Sequence, residues 1–161
     1  MKEKAKELIP YIIIVIVVLL FRSFIATPVR VNGTSMYDTL KGNELLILNK
    51  LGKVDRYKIV VVDYNGEKLI KRVIGLPNET IEAENNSIYI NGKKIKDEYG
   101  YGKTFDFAKV TLEEDEYFLM GDNREISKDS RIIGPINIKD IKGTTNFILF
   151  PFNKIGKIDK K

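Results

Sequence analysis

The sequence of 161 residues contains neither cysteine nor histidine. Without cysteine, the chain can form no disulfide, offers no thiol nucleophile and cannot build a thiolate metal site. Without histidine, it lacks the commonest side-chain metal ligand and the usual general base of hydrolytic enzymes. The two absences exclude zinc chemistry and Ser-His catalysis within this chain, and we expect neither a metal nor a cofactor.

Charge of one sign is not concentrated in any part of the sequence. The 27 basic and 22 acidic residues give a net charge of +5 at pH 7, and the excess is spread along the chain. Because nucleic-acid surfaces usually show a basic stripe, we expect no nucleic-acid partner, whereas weak attraction to an anionic membrane surface fits this charge. With 43% hydrophobic and 30% charged residues, the composition is that of a folded domain of ordinary size.

The longest apolar stretch lies near the start of the chain, at residues 8–21 (LIPYIIIVIVVLLF). Apolar residues continue past Arg22, so a helix over residues 8–26 would be about 28 Å long, close to the hydrocarbon thickness of a bilayer. Pro10 would occupy its first turn, where a missing N–H costs little. The stretch therefore predicts a transmembrane anchor, with Arg22 extending toward the interface and the lipid bilayer as a partner.

Two other interpretations of the apolar stretch fit the sequence less well. A buried core helix is disfavoured because β-branched residues occupy every face, and a cleavable signal peptide is disfavoured because Arg22 and Phe24 stand where small residues are expected. We therefore predict an anchor within residues 1–27 and a second, catalytic unit over residues 28–161. Three lysines precede the stretch and favour a cytoplasmic N-terminus, with the second unit on the extracytoplasmic face: Lys2, Lys4 and Lys6.

After Pro28, short runs rich in Val, Ile, Tyr and Phe replace the helical pattern. The pairs Asn85-Asn86 and Asn91-Gly92 predict tight turns, and the second pair predicts a hairpin. Residues 98–107 (EYGYGKTFDF) are either a strand or a packed excursion. The sequence therefore predicts a mostly β fold, in which one antiparallel domain follows the helix. The predicted strands are residues 44–49, 58–63, 68–74, 80–83, 87–90, 117–120 and 143–150.

Residues 33–40 (GTSMYDTL) place Ser35 in a Gly-Thr turn. A serine in a turn is usually structural, because its hydroxyl bonds to nearby backbone groups. It becomes a nucleophile only when a neighbouring base takes its proton, and in this chain the base must be Asp, Glu, Tyr or a neutral Lys. A lysine is neutral at ordinary pH only when burial lowers its pKa from about 10.4 toward about 7–8.

Lys71 is the lysine best placed for such burial. In residues 68–75 (KLIKRVIG), the alternation of a strand puts Leu69, Lys71 and Val73 on one face and Arg72 on the other. Lys71 is therefore flanked by apolar side chains on its own face. The alternative is that Lys71 extends from an edge strand into water.

A third polar segment, residues 120–134 (MGDNREISKDSRIIG), is dense in groups that can bond to the backbone and to each other. One interpretation is a solvated surface loop. The other is a loop tied by internal bonds between its serines, aspartates and arginines, which could hold a catalytic side chain in position.

In chain order, these segments resemble the bacterial type I signal peptidases, especially the short Gram-positive form. The resemblance covers nearly the whole chain and rests on GTSMYDTL, ELLILNK, KRVIGLPNE, MGDNREISKDSRIIGPI and FPFNKIGKI after the apolar stretch. It implies a membrane-bound serine endopeptidase with a Ser–Lys dyad and a β fold of the type shared with self-cleaving repressors. It also implies removal of signal peptides from secretory preproteins, by cleavage after small residues at positions −1 and −3.

The same resemblance assigns roles to individual residues. Ser35 matches the family's nucleophile and Lys71 its general base. Ser127 matches a serine that hydrogen-bonds to the lysine and orients it, and Asp129 and Arg131 match a pair that steadies the loop. The backbone N–H of Ser35 is implied as an oxyanion donor. The remaining motif residues are implied as scaffold: Gly121, Asp122, Asn123 and Arg124.

Two positions depart from the family pattern. Asp38 stands where the family often has proline, and an anion there would tend to raise the pKa of the lysine. Gly33 stands where some members carry a serine that donates to the oxyanion, so a second donor is expected, although short Gram-positive members commonly have glycine there. Asp38 leaves open a protein of another class, a non-catalytic, membrane-tethered β domain that binds signal sequences. A self-cleaving repressor would instead carry a DNA-binding domain in place of the apolar stretch.

Overall fold

The computed structural model describes residues 2–24 and 26–158 and begins with helix α1 (Lys2–Phe24). The helix starts well before the apolar stretch. Pro10 therefore lies inside the helix, whereas the sequence had predicted it in the first turn. The proline ring removes one backbone hydrogen bond at that point. The side chains of residues 8–19 are all exposed.

The predicted transmembrane anchor is not supported by the described residues. No helix in the described ranges combines the length and the apolar character that are needed to cross a membrane. The predicted anchor thus has no support in the described residues. The orientation inferred from it and the division at residue 27 stay predictions. Parts of both predictions lie outside the residues and side chains described: Met1, Ile25, residues 159–161, and the side chains of Lys2, Lys4, Lys6 and Arg22.

The rest of the described chain is mostly β, as predicted, and every pair of neighbouring strands is antiparallel. All seven predicted strands are present, with ends within two residues of those predicted. The strands are β1 (Ala26–Arg30), β2 (Leu45–Asn49), β3 (Ile59–Tyr64), β4 (Glu67–Gly75), β5 (Thr80–Glu84), β6 (Ser87–Ile90), β7 (Lys93–Lys94), β8 (Phe107–Thr111), β9 (Glu116–Met120), β10 (Ile136–Asn137), β11 (Ile141–Phe150) and β12 (Gly156–Lys157). A short helix α2 (Ser130–Ile133) and two 3-10 turns (Ile138–Asp140 and Phe152–Lys154) complete it.

The strands form two sheets. The main sheet has the order β1-β2-β11-β3-β4-β9-β10, with β12 added beside β11, and the small sheet has the order β7-β6-β5-β8. Both predicted turns join strands of the small sheet, and Asn85, Asn86, Asn91 and Gly92 all have positive φ, as tight hairpins with the twist of the strands require. Residues 98–106 form no strand, apart from the bridge that pairs Tyr101 with Asn123, and Phe107 is the first residue of β8.

Three apolar clusters hold the sheets together. One lies on the face of the main sheet that carries Val61 and Ile70, and it includes Met36 and Leu40 from the loop after β1. A second lies on the opposite face around Val60, and the third packs the small sheet against β9. Each fully buried side chain of this size contributes about 1.5–3 kcal/mol, so the loop after β1 is anchored by its own apolar residues.

The topology brings three distant segments to one place. The loop that contains Ser35 follows β1 at the edge of the sheet, whereas Lys71 lies in the middle of β4. Within the sheet, Arg72 of β4 is opposite Met120, the last residue of β9. The polar segment that begins at Gly121 therefore starts beside Lys71.

Candidate active site

Ser35 lies in the loop between β1 and β2, in a turn that the sequence stabilises on both sides. Gly33 has a φ of +81°, a left-handed conformation that favours glycine. On the other side, the N–H of Leu40 donates to the carbonyl of Met36 (2.8 Å), and both side chains are fully buried. Ser35 itself is half-buried, so a fixed turn presents it at the surface of the core.

Lys71 reaches Ser35 from β4. It lies opposite the fully buried Val60 on β3 and is flanked on its own face by Val73, which is also buried. The residue is only 4% exposed. The alternative interpretation, in which the Lys71 side chain extends into water, is therefore wrong. Its Nζ donates a 2.8 Å hydrogen bond to Oγ of Ser35.

Burial lowers the pKa of the Lys71 amine from 10.5 to about 8, because the charged ammonium form is desolvated. The carboxylates of Asp129 and Asp122 oppose this change, and the guanidinium of Arg131 reinforces it. The effect expected of Asp38 on this pKa stays a prediction. With a pKa of about 8, roughly one tenth of the amine is neutral at pH 7, and the neutral fraction rises steeply above that pH.

Ser127 lies in the wall of the site but does not make the predicted hydrogen bond to Lys71. Its Oγ is buried and has no hydrogen-bond partner in the described part of the chain. Ser127 packs against Gly121, where an added Cβ would lie 2.5 Å from the Cβ of Ser127 and also 2.5 Å from the carbonyl oxygen of Ser35. Gly121 therefore lies between the two serines, and the supporting role of Ser127 stays a prediction.

Asp129 and Arg131 lie behind the site and tie the polar segment together. The guanidinium of Arg131 donates two 2.8 Å hydrogen bonds to the carboxylate of Asp129, which also accepts the backbone N–H of Gly121 at 2.8 Å. Burial alone would raise the pKa of Asp129, but the ion pair with Arg131 and the hydrogen bond from the Gly121 N–H together hold it below its ordinary value. Asp129 also caps α2, so it links the end of β9 to that helix.

Arg72 is a site residue to which the sequence analysis assigned no role. It was predicted to lie on the opposite face of the strand from Lys71. Its guanidinium donates to both carboxylate oxygens of Asp122 (2.8 and 2.6 Å) and to the carbonyl of Tyr57 (2.8 Å). A longer bond, of 3.3 Å, reaches Oγ1 of Thr39 in the loop between β1 and β2, which carries the predicted nucleophile Ser35 and is called the nucleophile loop below. The alternation of the strand could have indicated this role. It puts Arg72 on an apolar face between Ile70 and Ile74, and a cation buried there needs a carboxylate partner.

The next two motif residues fasten the polar segment to its surroundings. The N–H of Asn123 donates to the carbonyl of Ser35 (3.0 Å), and its side-chain amide donates to the carbonyl of Thr34 (3.4 Å). Arg124 is fully buried and pairs through two guanidinium nitrogens with Asp97. Asn123 thus contacts the loop that carries Ser35, whereas Arg124 ties the polar segment to Asp97. The scaffold roles that the resemblance implied stay predictions.

Glu44 holds the far end of the nucleophile loop, and the sequence analysis did not predict this role. Glu44 is only 3% exposed. Its carboxylate accepts a hydrogen bond from the backbone N–H of Lys41 (3.0 Å) and forms an ion pair with Lys154 (2.7 Å). Glu44 and Lys154 are 110 positions apart. A pair so distant in the chain has no local sequence pattern.

Together, these contacts define a serine hydroxyl bonded to a buried amine, with a rigid polar segment around both. Such a pair can transfer the hydroxyl proton to the amine as the oxygen attacks a carbonyl carbon, which is the chemistry of serine hydrolases that form acyl-enzymes. A family model described as signal peptidase, peptidase S26, matches residues 5–150.

Individual relatives agree with this match. The chain is 41% identical over 162 residues to a signal peptidase I of Bacillus amyloliquefaciens, with 91% of this chain and 88% of the relative covered. It is 40% identical over 163 residues to signal peptidase I S of Bacillus subtilis, with 91% and 89% covered. The crystal structure of a signal peptidase I from Enterococcus faecalis matches with a TM-score of 0.52 and 33% identity, and covers 57% of this chain and 96% of that one. This chain belongs to the signal peptidase family and is therefore a serine endopeptidase, a hydrolase of peptide bonds.

Proposed function

We propose that this enzyme removes signal peptides from secretory preproteins, with Ser35 as the nucleophile and Lys71 as the general base. The observation that carries the proposal is the 2.8 Å hydrogen bond from a buried lysine amine, with its pKa lowered to about 8, to the hydroxyl of Ser35. A base with a pKa near the working pH is the most effective proton acceptor. In a chain without histidine, no imidazole competes for this role.

In the proposed reaction, neutral Lys71 takes the proton of Ser35 as its oxygen bonds to the scissile carbonyl carbon. The ammonium then returns that proton to the amine of the departing mature protein as the C–N bond breaks, which leaves the signal peptide as an ester of Ser35. Lys71, neutral again, takes a proton from a water molecule that attacks the ester. Hydrolysis releases the signal peptide with a free carboxylate and restores the Ser35 hydroxyl.

The negative oxygen that forms in each step needs donors that are already in place. The backbone N–H of Ser35 is one candidate, because it lies next to the oxygen that attacks the carbonyl. Gly33 has no side chain to offer, so a second donor would come from elsewhere. Loss of one such donor costs about two to three powers of ten in rate in other enzymes.

An extended precursor is proposed to bind as an added strand. β1 is an edge strand, and β4 pairs with β9 only from Arg72 onward, which leaves the edge of residues 67–70 free just before Lys71. Main-chain bonds to these edges would give affinity without selecting side chains. Val29 and Ile70 lie near the two edges in the same apolar cluster as Met36, the neighbour of Ser35. Because these side chains already fill the cluster, little room is left beside it, which supports the proposed cleavage after small residues at −1 and −3.

The proposed location is the extracytoplasmic membrane surface, where signal peptides and their precursors are found. Residues 8–19 of α1 expose a continuous apolar surface that water would solvate poorly. Its burial in lipid would place enzyme and substrate on the same membrane and raise their effective concentration.

The decisive experiment incubates the detergent-solubilised protein with a secretory precursor and determines the new N-terminus. We expect one cut after a small residue, and loss of cleavage by several powers of ten in Ser35→Ala. Ser87→Ala is the matched control, because Ser87 lies in the small sheet and its hydroxyl bonds only weakly, to Asn85 (3.4 Å). Undiminished cleavage by Ser35→Ala would reject the nucleophile. A serine-directed acylating probe that leaves Ser35 unlabelled would favour the non-catalytic binder instead.

A further inference from the structure

Tyr99 is a buried aromatic residue in the segment between β7 and β8. It is 8% exposed, and its ring lies against the guanidinium of Arg72, whose Cζ is 3.7 Å from the ring centroid. The face of an aromatic ring attracts a cation, and the attraction is strongest where water is excluded. Arg72 is itself only 3% exposed. The ring of Tyr99 therefore holds the guanidinium of the residue that follows Lys71 on β4.

The other contacts of Arg72 complete a cradle around its guanidinium. Besides the ion pair with Asp122, the guanidinium donates to Thr39 in the nucleophile loop (3.3 Å) and to the carbonyl of Tyr57 (2.8 Å). Tyr57 has a φ of +66°, a left-handed conformation that is unusual for a large side chain. Its ring packs against that of Tyr99, with 5.6 Å between the centroids. The chain thus adopts an uncommon conformation at the point where it contacts this guanidinium.

The segment that carries Tyr99 is anchored on both sides of it to the polar segment. Two residues before Tyr99, Asp97 pairs with the buried guanidinium of Arg124. Two residues after it, the N–H of Tyr101 donates to the carbonyl of Asp122 (2.7 Å). These two anchors fix the position of the Tyr99 ring between them.

The charge that Arg72 balances acts on Lys71. The carboxylates of Asp129 and Asp122 raise the pKa of the Lys71 amine, and the guanidinium of Arg131 lowers it. Each carboxylate has its own guanidinium, Arg131 for Asp129 and Arg72 for Asp122. If Arg72 moves away, the carboxylate of Asp122 is no longer balanced and favours the charged form of the amine.

We propose that Tyr99 is a positioning residue for the cleavage reaction, which holds Arg72 against Asp122 and so keeps that carboxylate from stabilising the protonated amine of Lys71. The inference rests on the function proposed above for Ser35 and Lys71. Tyr99 acts through Arg72, and its role is therefore distinct from that of the two residues that take part in the chemistry.

The test measures the protonation of Lys71 directly, by an NMR titration of the detergent-solubilised full chain labelled with carbon-13 lysine. Lys71→Met assigns the resonance. In Tyr99→Leu the titration midpoint should move to higher pH by about half to one pH unit. The neutral fraction at pH 7, and with it kcat/KM, should then fall by about three- to tenfold. Tyr99→Phe keeps the aromatic face and should titrate as the native protein does.

Phe107→Leu is the matched control, because it removes from β8 a ring that stacks on Phe118, with 5.2 Å between the centroids. This variant should lose stability without a change in the midpoint of Lys71. An unchanged midpoint in Tyr99→Leu would overturn the proposal, and so would an equal change in Tyr99→Phe or in the control.

Circular dichroism establishes that each variant is folded. Tyr99→Met replaces Tyr99→Leu if the latter does not fold, since the longer side chain fills more of the space without an aromatic face. The titration needs no substrate. A native protein that cleaves no precursor would therefore reject the proposed function, whereas the effect of Tyr99 on Lys71 would still be measured.

Discussion

Lys71 and Arg72 are consecutive on β4, yet their buried side chains serve opposite sides of the sheet and meet different partners. Lys71 contacts the hydroxyl of Ser35, whereas Arg72 makes a two-point ion pair with Asp122. The guanidinium has a carboxylate to balance its charge, and the amine has a neutral hydroxyl. Burial therefore acts on Lys71 without a directly bonded anion, which is the reason that its pKa falls.

The first prediction concerns the pH dependence of cleavage. Because only the neutral amine accepts a proton, kcat/KM should rise about tenfold per pH unit on the acid side and level off above the Lys71 pKa of about 8. The rate of cleavage of a short precursor peptide from pH 5.5 to 9.5 provides the measurement. A flat profile between pH 6 and 9 would contradict a titrating lysine base.

The second prediction concerns stability. The lower pKa in the folded state, about 8 against 10.5, means that the unfolded chain binds more protons between these values, so Lys71 adds stability as pH rises through this window. At about 1.4 kcal/mol for each factor of ten, the whole change is roughly 3 kcal/mol. Lys71→Met should be inactive but at least as stable as the native enzyme at pH 7. The native enzyme should gain roughly 3 kcal/mol relative to it by pH 10.5.

Urea unfolding at several pH values measures the difference in free energy of unfolding between the native enzyme and Lys71→Met. The other titrating groups are the same in both proteins, so their contributions cancel in this difference. A constant difference between pH 7 and 10.5 would show that the amine is not held in a desolvated site.

The third prediction concerns Asp129, which both steadies the polar segment and raises the pKa of Lys71. In Asp129→Asn the anion is lost, so the midpoint of the pH–rate profile should move to lower pH. The partly buried Arg131 also loses its ionic partner, and stability should fall by about 3 kcal/mol. Unfolding curves and the pH profile of the remaining activity are measured on the same preparation. A midpoint that moves to higher pH would contradict the assigned electrostatic effect.

The fourth prediction concerns Gly121. In Gly121→Ala the added methyl would overlap Ser127 and the carbonyl of Ser35, so the nucleophile loop must shift. Overpacking of this kind costs about 1–3 kcal/mol, and displacement of Ser35 should lower kcat by about a hundredfold.

Gly42→Ala is the control for this variant, since a Cβ at Gly42 would meet only the Gly33 carbonyl, at 3.7 Å. It should cleave at nearly the native rate. Equal activities of the two variants would show that contact with Gly121 does not position the nucleophile.

Much of the β fold was predictable because its strands follow local rules. The runs of Val and Ile that became β3, β6 and β11 alternate between two faces, and the Asn and Gly pairs fit turns with positive φ. β1 was not predicted, because it is short, follows the helix directly and contains Pro28. The length of α1 was underestimated, since charged residues before the apolar stretch continue the helix.

The sequence by itself determined the chemistry that was available: no imidazole, no thiol, a turn serine, and a lysine whose strand neighbours are apolar. These are properties of residue type and local spacing, which do not depend on the fold. Only the tertiary structure decided that Ser35 and Lys71 touch, that Ser127 does not bond to the lysine, and that Arg72, Glu44 and Lys154 support the site. Such contacts join residues tens of positions apart, and burial, which sets the protonation of Lys71, exists only after the sheets have packed.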